Sequence, residues 1–252
     1  MNKIIKAELY KYKRLTSFWI FIISIFLWYL LLLITFSEKN PNIFIQTSLG
    51  YGSLFFVVVM AMSAMMIGHG FSQRTHLYEI MSGNRPMKII ISKIISSGLI
   101  VATIVSLIHL LYIFFILLFI DGNITNQSIY REILFITMIY RCSIVSVLLT
   151  LIFRSNISIL ISYIILEMEM IILLIYGLIN NNFKEIMEYM ESFVGKSPIP
   201  RIFNILFTSI QIQKINSIPV NSEVVTDVIL GFVITVSALI FITYRQYKKK
   251  DF

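Results

Sequence analysis

Charged residues are scarce in this chain. Only 13% of its 252 residues are Asp, Glu, Lys or Arg, whereas 58% are hydrophobic. A soluble domain carries about a quarter charged residues and about half apolar ones. The imbalance argues against a soluble globular enzyme and favours a single domain, residues 1–252, embedded in a membrane.

Cysteine and catalytic motifs are also lacking. The single cysteine, Cys142, can form no internal disulfide and no cysteine-based metal or redox site. Neither H-E-x-x-H nor G-x-S-x-G occurs. Gly195-Lys196-Ser197 ends like a nucleotide-binding P-loop, but Met190 stands where its first glycine is required. We therefore expect no catalytic, metal or cofactor site in this chain.

Positive charge exceeds negative charge, with 21 Lys and Arg against 13 Asp and Glu and a net charge of +8. In a soluble protein, such a balance can indicate nucleic-acid binding. Here the basic residues cluster at the ends of apolar runs, which is the pattern of membrane topology. We expect no nucleic-acid partner.

Long apolar runs are abundant. A helix needs about 20 apolar residues to cross the hydrocarbon core of a bilayer. The runs lack the period-two alternation of barrel strands, so they predict an all-α membrane fold. Six transmembrane helices are predicted, at residues 18–36, 51–71, 94–120, 132–153, 157–179 and 226–244.

The basic residues predict the orientation. Fourteen Lys and Arg residues flank the spans on the side of both termini, and six lie on the other side. Four of those six sit in one longer loop, which weighs less in setting topology. We expect a multi-pass protein of the bacterial plasma membrane with both termini in the cytoplasm.

Residues 1–16 predict an amphipathic helix before the first span. Ile5, Leu9 and Tyr12 share one helical face, and basic residues occupy the others. Such a helix lies in the membrane interface with its cations near anionic lipid headgroups. The alternative is a solvated tail whose charges only set topology.

Two further segments outside the spans have helical patterns. In the cytoplasmic segment 72–88, a helix with one apolar and one polar face is predicted before a stop at Gly83-Asn84, which suits docking on another protein. The alternative is that segment 72–88 is a loop whose Lys and Arg residues only fix the membrane topology. The external segment 180–225 predicts an amphipathic helix, followed by the apolar stretch 202–212, which could partly re-enter the membrane.

Four ionisable residues are predicted at membrane depth: His109, Arg141, Glu167 and Glu169. Such groups face partners or water because exposure to lipid is costly. Arg141 and Glu167 are equally far from the turn at 154–156, so we hypothesise an ion pair between them, with Glu169 facing something else. The pair could form a polar translocation surface or fix helix register. His109 is expected to be a hydrogen-bonded core residue rather than a proton carrier.

This arrangement resembles the ABC-2 type permease family, the membrane subunits of many bacterial ABC exporters. The resemblance rests on the N-terminal helix, the six spans, the Glu79-bearing segment, Arg85 and Ser92-Lys93 entering span three, and the external segment. Among these permeases, the small size resembles those for lantibiotic immunity and antimicrobial-peptide export.

The resemblance implies that a separate cytoplasmic ATPase, which binds ATP and Mg, drives export of a hydrophobic or amphipathic peptide. Segment 72–88 would be its coupling helix, and a second permease, identical or related, would complete a dimer in the lipid. An ion-coupled secondary transporter using Glu167, Glu169 and His109, or a non-transporting toxin-immunity protein, are the alternatives. The implied ATPase-coupling residues are Arg74, His76, Leu77, Tyr78, Glu79, Met81 and Arg85.

Overall fold

A computed structural model describes residues 2–35, 40–50, 52–72, 83–120, 122–155, 157–192, 199–217 and 219–249. All regular structure within these ranges is helical. The helices, in chain order, are α1 (Asn2–Lys13), α2 (Thr16–Thr35), α3 (Pro41–Gly50), α4 (Gly52–Ser72), α5 (Pro86–Phe119), α6 (Asn126–Phe153), α7 (Ser158–Ile179), α8 (Phe183–Ser192), α9 (Arg201–Leu206), α10 (Thr208–Ser217) and α11 (Ser222–Lys249).

Four of these helices, α2, α5, α6 and α11, are long and apolar enough to cross a membrane. The all-helical membrane fold is therefore confirmed at this level. Helices α4 and α7 coincide with the second and fifth predicted spans and contain 21 and 22 residues. The six-span topology itself stays a prediction.

The helices extend beyond the apolar runs that predict them. Helix α5 begins at Pro86, eight residues before the predicted span, and α6 begins at Asn126 rather than at 132. Proline suits a first helical turn because its missing N–H has no intrahelical partner there. At α6, the Thr125 side chain accepts a hydrogen bond from the Ser128 N–H at 3.3 Å. A proline thus begins α5, and a capped polar turn begins α6.

Helix α6 is the centre of the bundle. Small hydroxyl side chains join it to its neighbours: Ser143 bonds to Ser63 on α4 at 2.7 Å and donates to the Gly98 carbonyl at 2.8 Å, and Ser146 donates to the Met60 carbonyl at 2.6 Å. Small residues allow helices to approach closely in membranes, and hydroxyls add interhelical hydrogen bonds. This packing leaves α6 buried and α2 largely exposed.

Helix α1 packs beside the first part of α5. Its buried residues are Glu8 and Tyr12, whereas Leu9 and Tyr10 are exposed. Of the predicted apolar stripe, Tyr12 is buried, Ile5 is half-buried and Leu9 is exposed, and the placement of the stripe in the membrane interface stays a prediction. The predicted N-terminal helix is present, and its exposed face combines apolar and basic side chains.

The segment after α7 folds back onto the bundle. Helix α8, the predicted amphipathic helix, buries Ile186 in a cluster with Leu173 of α7. Helices α9 and α10 then form a broken pair, interrupted at Phe207, that packs among α6, α7 and α11. This broken pair, called the hairpin below, coincides with the apolar stretch 202–212, whose partial re-entry into the membrane stays a prediction.

Candidate functional site: two buried polar clusters

The first polar cluster surrounds Arg141, which is only 1% exposed in the middle of α6. One of its terminal nitrogens donates to the Oε1 of Gln211 on α10. The other donates to the Leu206 carbonyl at 2.7 Å. Leu206 is the last residue of α9, so its carbonyl has no partner within that helix. The break in the hairpin thus provides acceptors for a buried cation.

Gln211 fixes the position of the hairpin. Its amide nitrogen lies 3.0, 2.7 and 3.0 Å from the carbonyl oxygens of Asn204, Ile205 and Asp227. Asn204 and Ile205 belong to α9 and Asp227 belongs to α11. One side chain therefore connects α10, α9, α11 and, through Arg141, α6.

Glycine is required at position 231 by the close approach of the hairpin to α11. A Cβ atom there would lie 2.1 Å from the Ile205 carbonyl oxygen, 2.7 Å from the Gln211 amide nitrogen and 2.8 Å from an Arg141 nitrogen. Real Cβ atoms do not approach other atoms so closely, and backbone cannot move aside as a flexible side chain does. Gly231 is thus part of the cluster.

Glu169, on α7, binds the other side of the break. Its Oε2 accepts hydrogen bonds from the N–H and the hydroxyl of Ser209, both at 2.8 Å. Ser209 lies in the first turn of α10, where backbone N–H groups lack intrahelical acceptors and an anion is favoured. Arg141 therefore binds the C-terminal end of α9, and Glu169 binds the N-terminal end of α10.

The hypothesised Arg141–Glu167 ion pair stays a prediction because the Glu167 side chain lies outside the described residues. The structure gives Arg141 the partners Gln211 and Leu206, which the sequence reasoning did not identify. The expectation that Glu169 faces a different partner agrees with its bonds to Ser209. Gln211 could have been noticed as a long polar side chain inside the apolar stretch 202–212.

The second polar cluster surrounds His109 on α5, which is also 1% exposed. Its Nδ1 lies 2.8 Å from the Tyr29 hydroxyl of α2, and its Nε2 lies 2.5 Å from Glu132 Oε2 of α6. The rings of Phe135 and Tyr29 lie against the imidazole, with centroids 4.8 and 5.4 Å away. His109 is a buried, hydrogen-bonded residue, as expected, but Glu132 was missed because it was taken as the first residue of a span.

Two apolar grooves flank α2. One, between α2 and α4, is lined by Ser24, Ile25, Trp28, Phe55 and Val58. The other, between α2 and α5, includes Tyr29, Leu33 and Tyr112 in its lining. Tyr29, which lines the second groove, also bonds to His109. This bond is a polar attachment of α2 to α5.

An ion pair holds α1 against α5. Lys93 Nζ lies 2.6 Å from Glu8 Oε1, with both side chains at most 7% exposed, and the Tyr12 hydroxyl bonds to Ser97. Burial raises the pKa of Glu8, but the charge and hydrogen bond of Lys93, helped by Lys11, outweigh it and lower the pKa overall. Burial, reinforced by the Glu8 charge, raises the pKa of Tyr12 well above its ordinary value.

Most of the implied ATPase-coupling residues lie outside the described part of the chain. Arg85 is described: it is exposed and directly precedes Pro86, the first residue of α5. The residues outside the described ranges are Arg74, His76, Leu77, Tyr78, Glu79 and Met81.

Within the described ranges, no group of three or more His, Cys, Asp or Glu side chains is arranged to hold a metal ion. Comparisons with protein-family models, with curated proteins and with solved structures found no match for this chain.

Proposed function

We propose that this chain is the membrane-spanning subunit of an ABC exporter of the ABC-2 permease type. It would cross the bacterial plasma membrane six times, with both termini in the cytoplasm, and pair with an identical or related permease. A separate cytoplasmic ATPase would bind ATP and Mg and supply the energy. The substrate would be a hydrophobic or amphipathic molecule of the antimicrobial or toxin-like peptide class.

The observation that carries this proposal is the attachment of α1 to the base of α5. A permease driven from outside needs a firm connection between the segment that the motor moves and the bundle. Helix α5 begins at Pro86, near the end of segment 72–88, and extends to Phe119, and the Glu8–Lys93 pair ties α1 to its first part. A push on segment 72–88 would therefore reach both helices.

The exposed apolar surface supports the proposed substrate class. The two grooves beside α2 are lined mainly by apolar side chains. Apolar grooves that open towards lipid suit a cargo that partitions into the membrane before it is moved. The buried clusters at Arg141 and His109 would hold the bundle in register around them.

Purification of the chain with its associated ATPase tests this proposal. We expect a stable partner whose ATP hydrolysis is stimulated by the permease, and we expect Glu79→Ala or Glu79→Arg to abolish that stimulation. Lys184→Ala is the matched control because it removes an exposed charge from α8, on the predicted outer side. Unchanged stimulation and export in the Glu79 variants would remove the coupling role of segment 72–88.

Energy dependence separates export by an ATPase from ion-coupled transport. Export by the proposed complex should stop when the ATPase is inactivated and should continue when a protonophore collapses the proton gradient at constant ATP. Export that survives loss of the ATPase and stops with the protonophore would support the ion-coupled alternative instead.

A further inference from the structure

The start of α5, the end of α6 and the end of α11 are packed together at one end of the bundle. Tyr247 of α11 is buried in a cluster that also contains Ile89 of α5 and Leu151 of α6. Arg154, which follows the last residue of α6, places its guanidinium over the Tyr247 ring at 5.1 Å. A cation above an aromatic face is attracted by the ring. The three helix ends therefore form one packed unit.

Basic side chains are exposed on this unit, at the end that the topology predicts to be cytoplasmic. Arg85 and Lys88 are exposed at the start of α5, and Arg245 and Lys248 are exposed at the end of α11. Arg245 and Lys248 are three residues apart, so they share one face of α11. These four residues are called the basic surface below.

The described part of the chain offers little acidic charge to balance the basic surface. Glu8 is the one acidic side chain described at this end of the bundle. Its Oε1 lies 2.6 Å from Lys93 Nζ, and both side chains are buried. This carboxylate is therefore already bound within the protein. The basic surface suits an anionic partner that comes from outside the chain.

The length of α5 indicates that this partner is a protein rather than lipid. With 34 residues, α5 is about 50 Å long, whereas a bilayer with its headgroups is about 40–45 Å thick. The far end of α5 is apolar up to Phe119, which is 78% exposed and so suits hydrocarbon. The excess length is therefore at the Pro86 end. There the basic surface stands where a soluble protein can reach it.

The basic residues at the end of α1 have different surroundings. Trp19 Nε1 donates to the Lys13 carbonyl at 3.1 Å, and Lys13 and Arg14 are both exposed beside this tryptophan. Tryptophan is enriched at the level of the headgroups, where cations meet anionic lipid. Lys13 and Arg14 thus provide two cations at the same end of the bundle whose surroundings are those of lipid contacts.

We propose that the basic surface docks an acidic face of a cytoplasmic protein, and that this protein is the ATPase of the proposed exporter. The inference rests on that proposed function and deepens it, because it adds the end of α11 to segment 72–88 as a place of contact. Complementary charges at such a contact speed association and set the orientation of the partner. The contact would also reach α6, through Tyr247 and Arg154.

Binding of the co-purifying ATPase to the full chain in phosphatidylcholine nanodiscs tests the basic surface. Arg245→Gln with Lys248→Gln should raise the Kd about five- to tenfold at low salt, the effect of two exposed ion pairs. The difference should shrink near about 1 M salt, where exposed charges are screened. Lys13→Gln with Arg14→Gln removes two cations from the same side of the membrane and is the matched control. Its Kd should equal that of the parent protein.

An equal Kd for the parent protein and for Arg245→Gln with Lys248→Gln would overturn the proposal. So would an equal loss in the α1 control, because net charge rather than the basic surface would then decide binding. A loss that appears only in nanodiscs containing phosphatidylglycerol would assign these cations to lipid headgroups and would overturn the proposal as well. Failure of the proposed function looks different, because no ATPase would then co-purify with the parent protein.

Discussion

The clusters at Arg141 and His109 have equally buried ionisable groups but different kinds of partner. Arg141 donates to a side-chain amide and to the end of a short helix in the hairpin, whereas His109 bonds to side chains from two regular helices. Removing one partner of a buried charge is costly in either place. The difference is that the Arg141 cluster holds an irregular segment in position, while the His109 cluster holds one whole helix.

The largest effect is expected at Gly231, where the hairpin and α11 meet. Gly231→Ala would place a carbon 2.1 Å from the Ile205 carbonyl oxygen. The hairpin must then shift and Arg141 loses its acceptors, so we expect a loss of at least about 3 kcal/mol of stability. Thermal unfolding in detergent micelles measures this change.

Gly98→Ala is the matched control for Gly231→Ala. Gly98 also sits in a helix against a neighbour, but its closest contact would be the Ile144 Cγ1 side-chain atom at 3.3 Å, which can give by a few tenths of an ångström. A Gly231→Ala protein as stable as Gly98→Ala would mean that the hairpin does not pack against α11 in this way.

The next effect tests whether Arg141 depends on the hairpin for its hydrogen bonds. Gln211→Leu leaves the buried guanidinium short of an acceptor, so we expect a loss of about 3–5 kcal/mol. The double variant Arg141→Met with Gln211→Leu should recover much of that loss because the charge is gone. Unfolding measurements on both variants and on Arg141→Met alone give the coupling energy. Additive losses would contradict a direct interaction.

The sequence predicted the locations of the helices better than their ends. Apolar runs locate α2, α5, α6 and α11 because lipid requires them to be apolar. Hydropathy does not give the ends, because α5 begins at a proline that suits a first helical turn and α6 begins with a polar turn capped by Thr125. This is why Glu132 was placed at a boundary when it lies two turns inside α6.

The partners of the buried charges were harder to predict. Depth along a helix can be estimated from residue counts, and it suggested Glu167 for Arg141. Depth does not tell in which direction around the helix axis a side chain points. It also gives no information on a segment that folds back from elsewhere in the chain. Gln211 and Leu206 are 70 and 65 residues from Arg141, and the signal for them was only an apolar stretch with one long amide.

A third effect concerns the Glu8–Lys93 pair. Lys93→Met removes the charge that stabilises a buried carboxylate, so we expect α1 to detach with a loss of about 3 kcal/mol or more. Protease digestion near residues 1–16 would detect detachment. Lys88→Met, which removes an exposed charge one turn earlier in α5, is the control and should leave α1 protected.

The same pair predicts a dependence on pH. Because the folded state lowers the pKa of Glu8, the stabilisation is present above the ordinary range of a glutamate and is lost as pH falls through the lowered value. Protection of α1 should therefore decline in acid, below about pH 4. In Glu8→Gln the acid-induced decline should vanish. A decline that persists in this variant would place the titrating group elsewhere.

The smallest effect is expected at Glu169 because its two bonds need an acceptor more than a charge. Glu169→Gln keeps a carbonyl oxygen that can accept from the Ser209 N–H, so the loss should be about 1 kcal/mol or less. Glu169→Leu leaves the Ser209 donors buried without an acceptor and should cost about 1–3 kcal/mol. Met168→Leu, at an exposed neighbouring position, serves as the control. If Glu169→Gln were as damaging as Glu169→Leu, the negative charge itself would be required, and electrostatic attraction to Arg141 would then explain the position of Glu169 better than the hydrogen bonds to Ser209 do.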